Sequence, residues 1–205
     1  KAIVFADSKL KTKQFLSTRG IPVAKLYAVI HDKKELKNFK WEGTPKPFVI
    51  KPNSGYGGEG IIIIEKQEGP QWITSDDTPL SHKELERHIH DILDGRYSIS
   101  ELTDYALIEQ KLEAPEILAK ISYKGLPDIR IIVHNLIPVM AMLRLPTRVS
   151  HGKANLHLGG IGVGINIAKG ELTHIAQYNK IIHEIPGFGD VKGLKIPHWK
   201  ELLFI

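Results

Sequence analysis

The chain has 205 residues, of which 42% are hydrophobic and 25% are charged, the composition of an ordinary soluble globular protein with one domain or two small lobes. It has no cysteine, which excludes disulfides, thiolate metal sites and a cysteine nucleophile. The formal charge of +5 comes without a dense basic block, and no apolar run approaches the roughly 20 residues of a membrane helix. We therefore expect a cytoplasmic protein that binds neither nucleic acid nor membrane. Its basic balance suits anionic ligands such as a nucleoside triphosphate or a carboxylate.

Capping residues and apolar patterns predict the elements of the first half of the chain. In order, they are a helix ending near residue 19, a strand at 25–30, a helix ending near 39, strands at 48–51 and 61–65, and a helix ending near 93. The residues expected to cap or close these helices are Asp7 or Ser8 with Gly20, Asp32, and Ser81 with Glu84 and Gly95. Residues 66–80 are predicted to form a polar loop that contains two prolines.

The second half is predicted to be rich in antiparallel strands. They are expected at 104–110, at 129–134 and 137–145 as a hairpin, and at 161–168 and 172–177 around a Lys-Gly turn. A polar, basic loop is predicted at 146–160 and an irregular segment at 178–196, and Pro197 suits the first turn of a last helix. The predicted fold class is therefore α+β.

A glycine-rich loop lies between the strands at 48–51 and 61–65. Gly55, Gly57 and Gly60 satisfy the spelling G-x-G-x-x-G, but Gly60 precedes four consecutive isoleucines, which favour a strand over the helix that a dinucleotide fingerprint requires. A Walker A loop is also excluded, because Ile61 and Ile62 stand where Lys and Ser or Thr are needed. The H-R-D and D-F-G tripeptides of protein kinases do not occur in the chain.

Lys51 ends the strand that precedes this loop. A lysine followed by a glycine hairpin, whose amide groups are free to bind phosphate oxygens, is typical of a nucleotide-binding flap. The alternative is a mobile hairpin tip that binds no ligand.

Several stretches, in the same order along nearly the whole chain, resemble the ATP-grasp superfamily and, within it, the alpha-L-glutamate ligase-like proteins. These proteins are relatives of the ribosomal-protein glutamate ligases, enzymes that add glutamate to protein or peptide ends. The stretches are residues 8–13 (SKLKTK), 20–23 (GIPV), 50–52 (IKP), 107–110 (LIEQ), 127–130 (PDIR), 139–148 (VMAMLRLPTR), 153–157 (KANLH) and 197–199 (PHW).

The resemblance implies an ATP-grasp fold in which two lobes with antiparallel sheets hold ATP under the glycine-rich flap. The expected division is an N-terminal lobe at 1–100 and a partial C-terminal lobe at 101–205. Because the chain begins without methionine and stops at four apolar residues, we expect a piece of a longer protein, truncated at both ends.

The resemblance also assigns roles to individual residues. Those expected to bind ATP are Lys9 and Lys51 at the phosphates, Ser54, Gly55, Gly57 and Gly58 in the flap, Glu109, Gln110, Lys111 and Leu112 at the adenine hinge, Asp128 at the ribose, and Lys153. Those expected to serve catalysis are Arg130, Arg144 and Asn155, with Arg148 nearby. Guanidinium groups suit the carboxylate and phosphate of such a reaction.

Each assignment has a simpler alternative. Lys9 is equally a solvated lysine in the first turn of a helix, and the hinge is equally the end of a core strand. Asp128 and Arg130 share a face of a predicted strand. The alternative to their functional roles is a structural salt bridge between them. The alternative for the basic loop at 146–160 is an exposed surface without a ligand, and Lys153 is the residue that best fits this alternative. Among ten histidines, His88 and His90 are expected at the surface, and His157 is a weak site candidate.

The implied activity is a carboxylate–amine ligase that works through an acyl phosphate and takes small-molecule or peptide substrates. Mg²⁺ is expected to accompany ATP, with its ligands beyond residue 205, so the fragment by itself is expected to be inactive. A non-catalytic module that binds a nucleotide or a partner is the alternative, and a small-molecule kinase is a third hypothesis. The oligomeric state is left open.

Overall fold

The computed structural model describes residues 2–98 and 103–204. Contacts between residues divide the chain into two compact units, Lys1–Leu112 and Glu113–Ile205. The sequence prediction placed the division twelve residues earlier, between residues 100 and 101. The strand at Ala106–Gln110 accounts for the difference, because it pairs inside the sheet of the first unit.

The first unit contains an antiparallel sheet with helices and a 3₁₀ turn. Its strands are β1 (Leu26–Ile30), β2 (Phe48–Pro52), β3 (Ile62–Glu68), β4 (Gln71–Thr74), β5 (Pro79–Ser81) and β6 (Ala106–Gln110), in the order β1-β6-β2-β3-β4-β5. Its helices are α1 (Ala2–Asp7), α2 (Lys9–Ser17), α3 (Lys33–Asn38) and α4 (His82–Leu93), with a 3₁₀ turn at Trp41–Gly43. The predicted caps at Ser8, Asp32 and Ser81 are confirmed.

Strand alternation separates a core face of this sheet from a polar one. Ile50 on β2 and Ile108 on β6 are fully buried and belong to a cluster with Ile89 of α4. Successive side chains of a strand point to opposite faces. Lys51 and Glu109, each next in sequence to one of these isoleucines, therefore lie on the other face.

The predicted loop at 66–80 is wrong. The end of β3, all of β4 and the start of β5 lie there, and Trp72 is 1% exposed within the core cluster. The prolines misled the prediction, although neither interrupts a ladder. Pro70 lies in the turn between β3 and β4, and Pro79 begins β5 at the edge of the sheet, where an N–H group is not required.

The second unit is built on another antiparallel sheet. Its strands are β7 (Asp128–His134), β8 (Ile137–Leu145), β9 (Ile161–Asn166), β10 (Glu171–Gln177) and β11 (Lys180–Ile182), in the order β11-β10-β9-β8-β7. The short helices α5 (Glu116–Ala119) and α6 (Trp199–Leu203) and a 3₁₀ turn at Leu156–Leu158 complete it. Leu143, Val163 and Trp199 are buried in its core.

The segment predicted to be irregular at 178–196 contains β11, which pairs with β10. Tyr178 and Asn179 make the connecting turn with φ of 50° and 60°. Two-residue hairpin turns of this kind usually contain glycine, and its absence here hid the hairpin. Antiparallel sheets combined with helices confirm the predicted α+β class. No helix in the ranges that the structure describes is long and apolar enough to cross a membrane.

Candidate functional site

A buried carboxylate and two lysines lie on the polar face of the first sheet. Glu109 is 5% exposed. Its Oε1 pairs with the ammonium of Lys51, and its Oε2 lies 3.0 Å from Nζ of Lys13, although not in the alignment of a hydrogen bond. Breaking a buried ion pair is costly, so this carboxylate holds the ammonium of Lys51, whereas Nζ of Lys13 also donates to the carbonyl oxygen of Ala24 at 2.5 Å.

Lys9, the first residue of α2, adds a third positive charge to this group. Its Nζ donates to the carbonyl oxygens of Asn53, at 3.1 Å, and Gly55, at 2.5 Å. Burial lowers the pKa of Lys9 below its usual value of 10.5, and the positive charge of Lys51 lowers the pKa further. Lys9 is therefore no freely solvated lysine. An anion at this position would relieve the repulsion between the two ammonium groups.

Asn53 fixes the start of α2 against the end of β2. Its Oδ1 accepts hydrogen bonds from Ser8 Oγ at 3.1 Å and from the amide of Leu10 at 2.9 Å, and its carbonyl oxygen accepts from the amide of Lys9 at 3.2 Å. The side chain is buried. Lys9 is thus held beside the glycine-rich loop by a residue that the sequence prediction passed over.

The glycine-rich loop is anchored at its first residues and exposed at its tip. The amide of Ser54 donates to Oδ2 of the buried Asp104 at 2.8 Å. At Gly55, a Cβ would lie 2.3 Å from Cγ of Pro52, so no larger residue fits without a shift. In the described part of the chain, the amides of Gly57 and Gly58 donate to no backbone or side-chain acceptor. They are available to an anion.

The carboxylate of Glu59 is exposed at this tip, and the amide of Glu59 closes a turn by donating to Tyr56 O at 3.0 Å. Water at an exposed position screens such a charge. The side chain is therefore compatible with an anion-binding loop.

Part of the predicted adenine hinge is bonded to other residues of the first unit. The amide of Gln110 donates to Lys25 O at 2.8 Å, and its side-chain oxygen accepts from the amide of Lys25 at 3.2 Å. Lys111 pairs with Glu65 of β3, and Leu112 is 48% exposed. Within the described ranges, the backbone N–H and C=O groups of Lys111 and Leu112 bond to no other backbone group, which leaves them able to contact a ligand.

In the second unit, the structure pairs Asp128 with Arg144 and not with Arg130. The two carboxylate oxygens of Asp128 accept from Nε and Nη2 of Arg144 at 2.7 and 2.8 Å, and the residues face each other across β7 and β8. Arg130 is exposed on β7. Of the two arginines expected in catalysis, Arg144 is thus neutralised in this structure, and Arg130 makes no ion pair with a described residue.

The basic loop at 146–160 carries residues with local roles. Asn155 caps the 3₁₀ turn by accepting from the amide of His157 at 3.0 Å. The guanidinium of Arg148 lies over the ring of Tyr123, 5.3 Å from its centroid. Lys153 and His157 are exposed. This loop therefore presents cations to solvent, and its Asn155 stabilises the turn.

The residues that the structure describes contain no group of three or more His, Asp or Glu side chains fit to hold a metal ion. The described residues therefore do not form a Mg²⁺ site, because Mg²⁺ is a hard cation that needs oxygen ligands in near-octahedral geometry. No magnesium ligand is therefore assigned among them.

Lys13 and Asp104 join the predicted residues at this site and were missed. A usable signal existed for Lys13, because it lies four residues after Lys9 on a predicted helix and therefore on the same face. Asp104 had no such signal, since a single aspartate before a strand is common.

A family model described as sugar-transfer associated ATP-grasp matches residues 1–205. No curated protein shows a significant match to the chain. The match confirms the predicted ATP-grasp superfamily, whose members are generally ATP-dependent ligases or transferases, while the glutamate-ligase subtype stays a prediction. It agrees with a cationic site beside a glycine-rich loop. The chain belongs to the sugar-transfer associated ATP-grasp family.

Proposed function

We propose that this chain is the nucleotide-binding part of an ATP-dependent ligase that joins a carboxylate to an amine. The observation that carries the proposal is the clustering of Lys9 and Lys51 around the entrance to the glycine-rich loop, with Glu109 holding Lys51 in place. Such an arrangement offers fixed positive charge and free amides to the phosphates of ATP.

Charge supports an anionic substrate at the second unit as well. Between residues 117 and 170, Asp128 is the one carboxylate, and it is engaged by Arg144. The cations of this stretch are Lys120, Lys124, Arg130, Arg144, Arg148, Lys153 and Lys169. Lys120 is paired with Glu116, whereas Arg130 and Arg148 are exposed. A carboxylate substrate would be attracted to these positive charges, and both guanidinium groups could bind it through planar, bidentate contacts.

In the proposed reaction, an oxygen of the carboxylate attacks the γ-phosphorus of ATP, and ADP leaves. The amine then attacks the carbonyl carbon of the acyl phosphate, loses a proton and expels inorganic phosphate, which gives the amide. Lys9 and Lys51 would stabilise the negative charge on the transferred group and on the leaving ADP. We also propose that the protein is cytoplasmic.

The family description favours substrates from sugar metabolism over glutamate alone. We therefore propose a carboxylate-bearing sugar or an amino acid as the acid, with glutamate retained from the resemblance in sequence. ADP release in a screen that pairs these acids with amines identifies the substrate. A screen in which a phosphate ester forms instead of an amide would point to a kinase.

A non-catalytic nucleotide-binding module is the second candidate. The pairing of Asp128 with Arg144 favours this candidate, because each side chain neutralises the charge that the other would offer to a ligand. This candidate predicts ATP binding without ADP formation for any acid and amine in the longest natural form of the protein.

Calorimetric titration with ATP tests the proposal. Lys51→Met should raise the Kd about 10- to 150-fold, the effect of losing a charge-assisted hydrogen bond worth about 1.5–3 kcal/mol. Lys11→Met is the matched control, because Lys11 is exposed on the same helix as Lys9 and should leave the Kd unchanged. Equal affinities for the wild type and Lys51→Met would refute the proposed site.

A further inference from the structure

The far end of the glycine-rich loop is fastened to helix α4 by a histidine. The carbonyl oxygen of Gly60 lies 2.9 Å from Nε2 of His88. A carbonyl oxygen can only accept, so Nε2 carries the hydrogen. His88 is half-buried, and its neighbour Ile89 is fully buried in the core. The loop end is thus tied to a rigid element by a histidine that the sequence predicts to lie at the surface.

Tyr97 completes this contact from the other side. Its hydroxyl lies 3.4 Å from Nδ1 of His88, which in the neutral ring is an acceptor. Its own ring fills the space above Gly60, where a Cβ would lie 2.6 Å from Tyr97 Cδ2. Burial lowers the pKa of His88 and raises that of Tyr97. Both shifts favour the neutral chain of hydrogen bonds from Tyr97 through His88 to Gly60.

The near end of the loop is fixed independently. Ser54 is bound by Asp104, and Gly55 is bound by Lys9 and by a bridge to Ser98. Residues 56–59, in between, are exposed. With both ends held, the loop has a short tip left to order when an anion binds, which lowers the entropic cost of binding.

We propose that His88 is a positioning residue for nucleotide binding, because it fixes Gly60 and so holds the tip amides of the loop where the β- and γ-phosphates bind. The inference rests on the proposed function, in which this loop binds the triphosphate. His88 touches neither the phosphates nor the reacting atoms. It acts through the backbone of Gly60.

The test compares ATP with AMP, which lacks the phosphates that the loop would contact. His88→Leu should raise the Kd for ATP roughly 3- to 10-fold, as expected for one lost neutral hydrogen bond, and leave the Kd for AMP unchanged. His88→Gln, whose side-chain amide can still donate to Gly60, should restore most of the affinity for ATP. His90→Leu is the matched control, since His90 lies on the same helix and is partly exposed, and should change neither Kd.

A purely structural role would weaken ATP and AMP binding equally, and that result, measured below the unfolding temperature of each variant, would overturn the inference. If His88→Leu does not fold, His88→Asn, whose amide is too short to reach Gly60, takes its place.

Hydrogen exchange separates this inference from the proposed function. If the wild type binds no nucleotide, the proposed function fails. Faster exchange at residues 54–62 in His88→Leu, reversed in His88→Gln, would still show that His88 positions the loop, and unchanged exchange would overturn it.

Discussion

Replacement of Glu109 by glutamine tests whether one buried carboxylate organises the cationic site. The amide has nearly the shape of the carboxylate but no charge, and its NH₂ group cannot accept from an ammonium. Breaking a buried ion pair costs about 3–5 kcal/mol. Because the side chains of Lys51 and Lys13 keep 20% and 12% exposure, water partly compensates them, and we expect a loss of about 2–3 kcal/mol of unfolding free energy.

For a chain of this size, such a loss lowers the Tm by about 4–12 °C. Urea denaturation followed by tryptophan fluorescence measures it, since Trp41 and Trp72 both lie in the core of the first unit. Glu65→Gln is the matched control. Glu65 pairs with Lys111 at 32% and 26% side-chain exposure, so its loss should cost less than about 1 kcal/mol.

A double-mutant cycle with Lys51→Met completes the test. Glu109→Gln leaves Lys51 and Lys13 without their shared counter-ion, and Lys51→Met leaves Glu109 with Lys13 alone, whereas the double change removes both members of the Glu109–Lys51 pair. The double variant should therefore be at least about 1 kcal/mol more stable than the sum of the single effects predicts. A Glu109→Gln variant that loses no more stability than Glu65→Gln, or strict additivity in the cycle, would refute the reasoning.

Three further predictions follow from the same unit. Burial lowers the pKa of Lys9 below 10.5, so this lysine loses its proton at a lower pH than an ordinary lysine does. A bound anion favours the ammonium, so ATP binding at alkaline pH should be accompanied by proton uptake. Calorimetry in buffers of different ionisation enthalpy should show this uptake in the wild type but not in Lys9→Met. Gly60→Ala should lose about 1–3 kcal/mol of unfolding free energy in a urea titration, because the φ of Gly60 is +70° and the new Cβ would meet Tyr97. Gly57 has a φ of +62° with open space around it, so Gly57→Ala should lose less in the same titration. Ser81→Ala should cost about 1 kcal/mol by removing the capping box of α4, and an unchanged denaturation midpoint would contradict that estimate.

Local chemistry explains why much of the fold could be predicted. The caps at Ser8, Asp32 and Ser81 act within one helical turn, so their signal is contained in neighbouring residues. Lys51 and the strands on both sides of the glycine-rich loop were predictable for the same reason, since β-branched runs bracket the loop.

Two short edge strands were harder to predict because their stabilisation is not local. β5 and β11 are three residues long and form because a neighbouring strand offers hydrogen bonds. The sequence around them is polar and contains proline or an unusual turn. Only the pairing with β4 and β10 makes them strands.

The sequence by itself determined the superfamily, the α+β class, the glycine-rich loop and the lysine that precedes it, because each depends on residues close together in the chain or on an ordered series of motifs. The tertiary structure decided which charges meet. It brings Glu109 to Lys51 and Lys13, sets Asp128 against Arg144, and ties His88 to Gly60. These partners lie far apart in the chain. Ionic and hydrogen-bond partners are selected by strand register and helix packing, and neither can be read from the spacing of residues along a sequence.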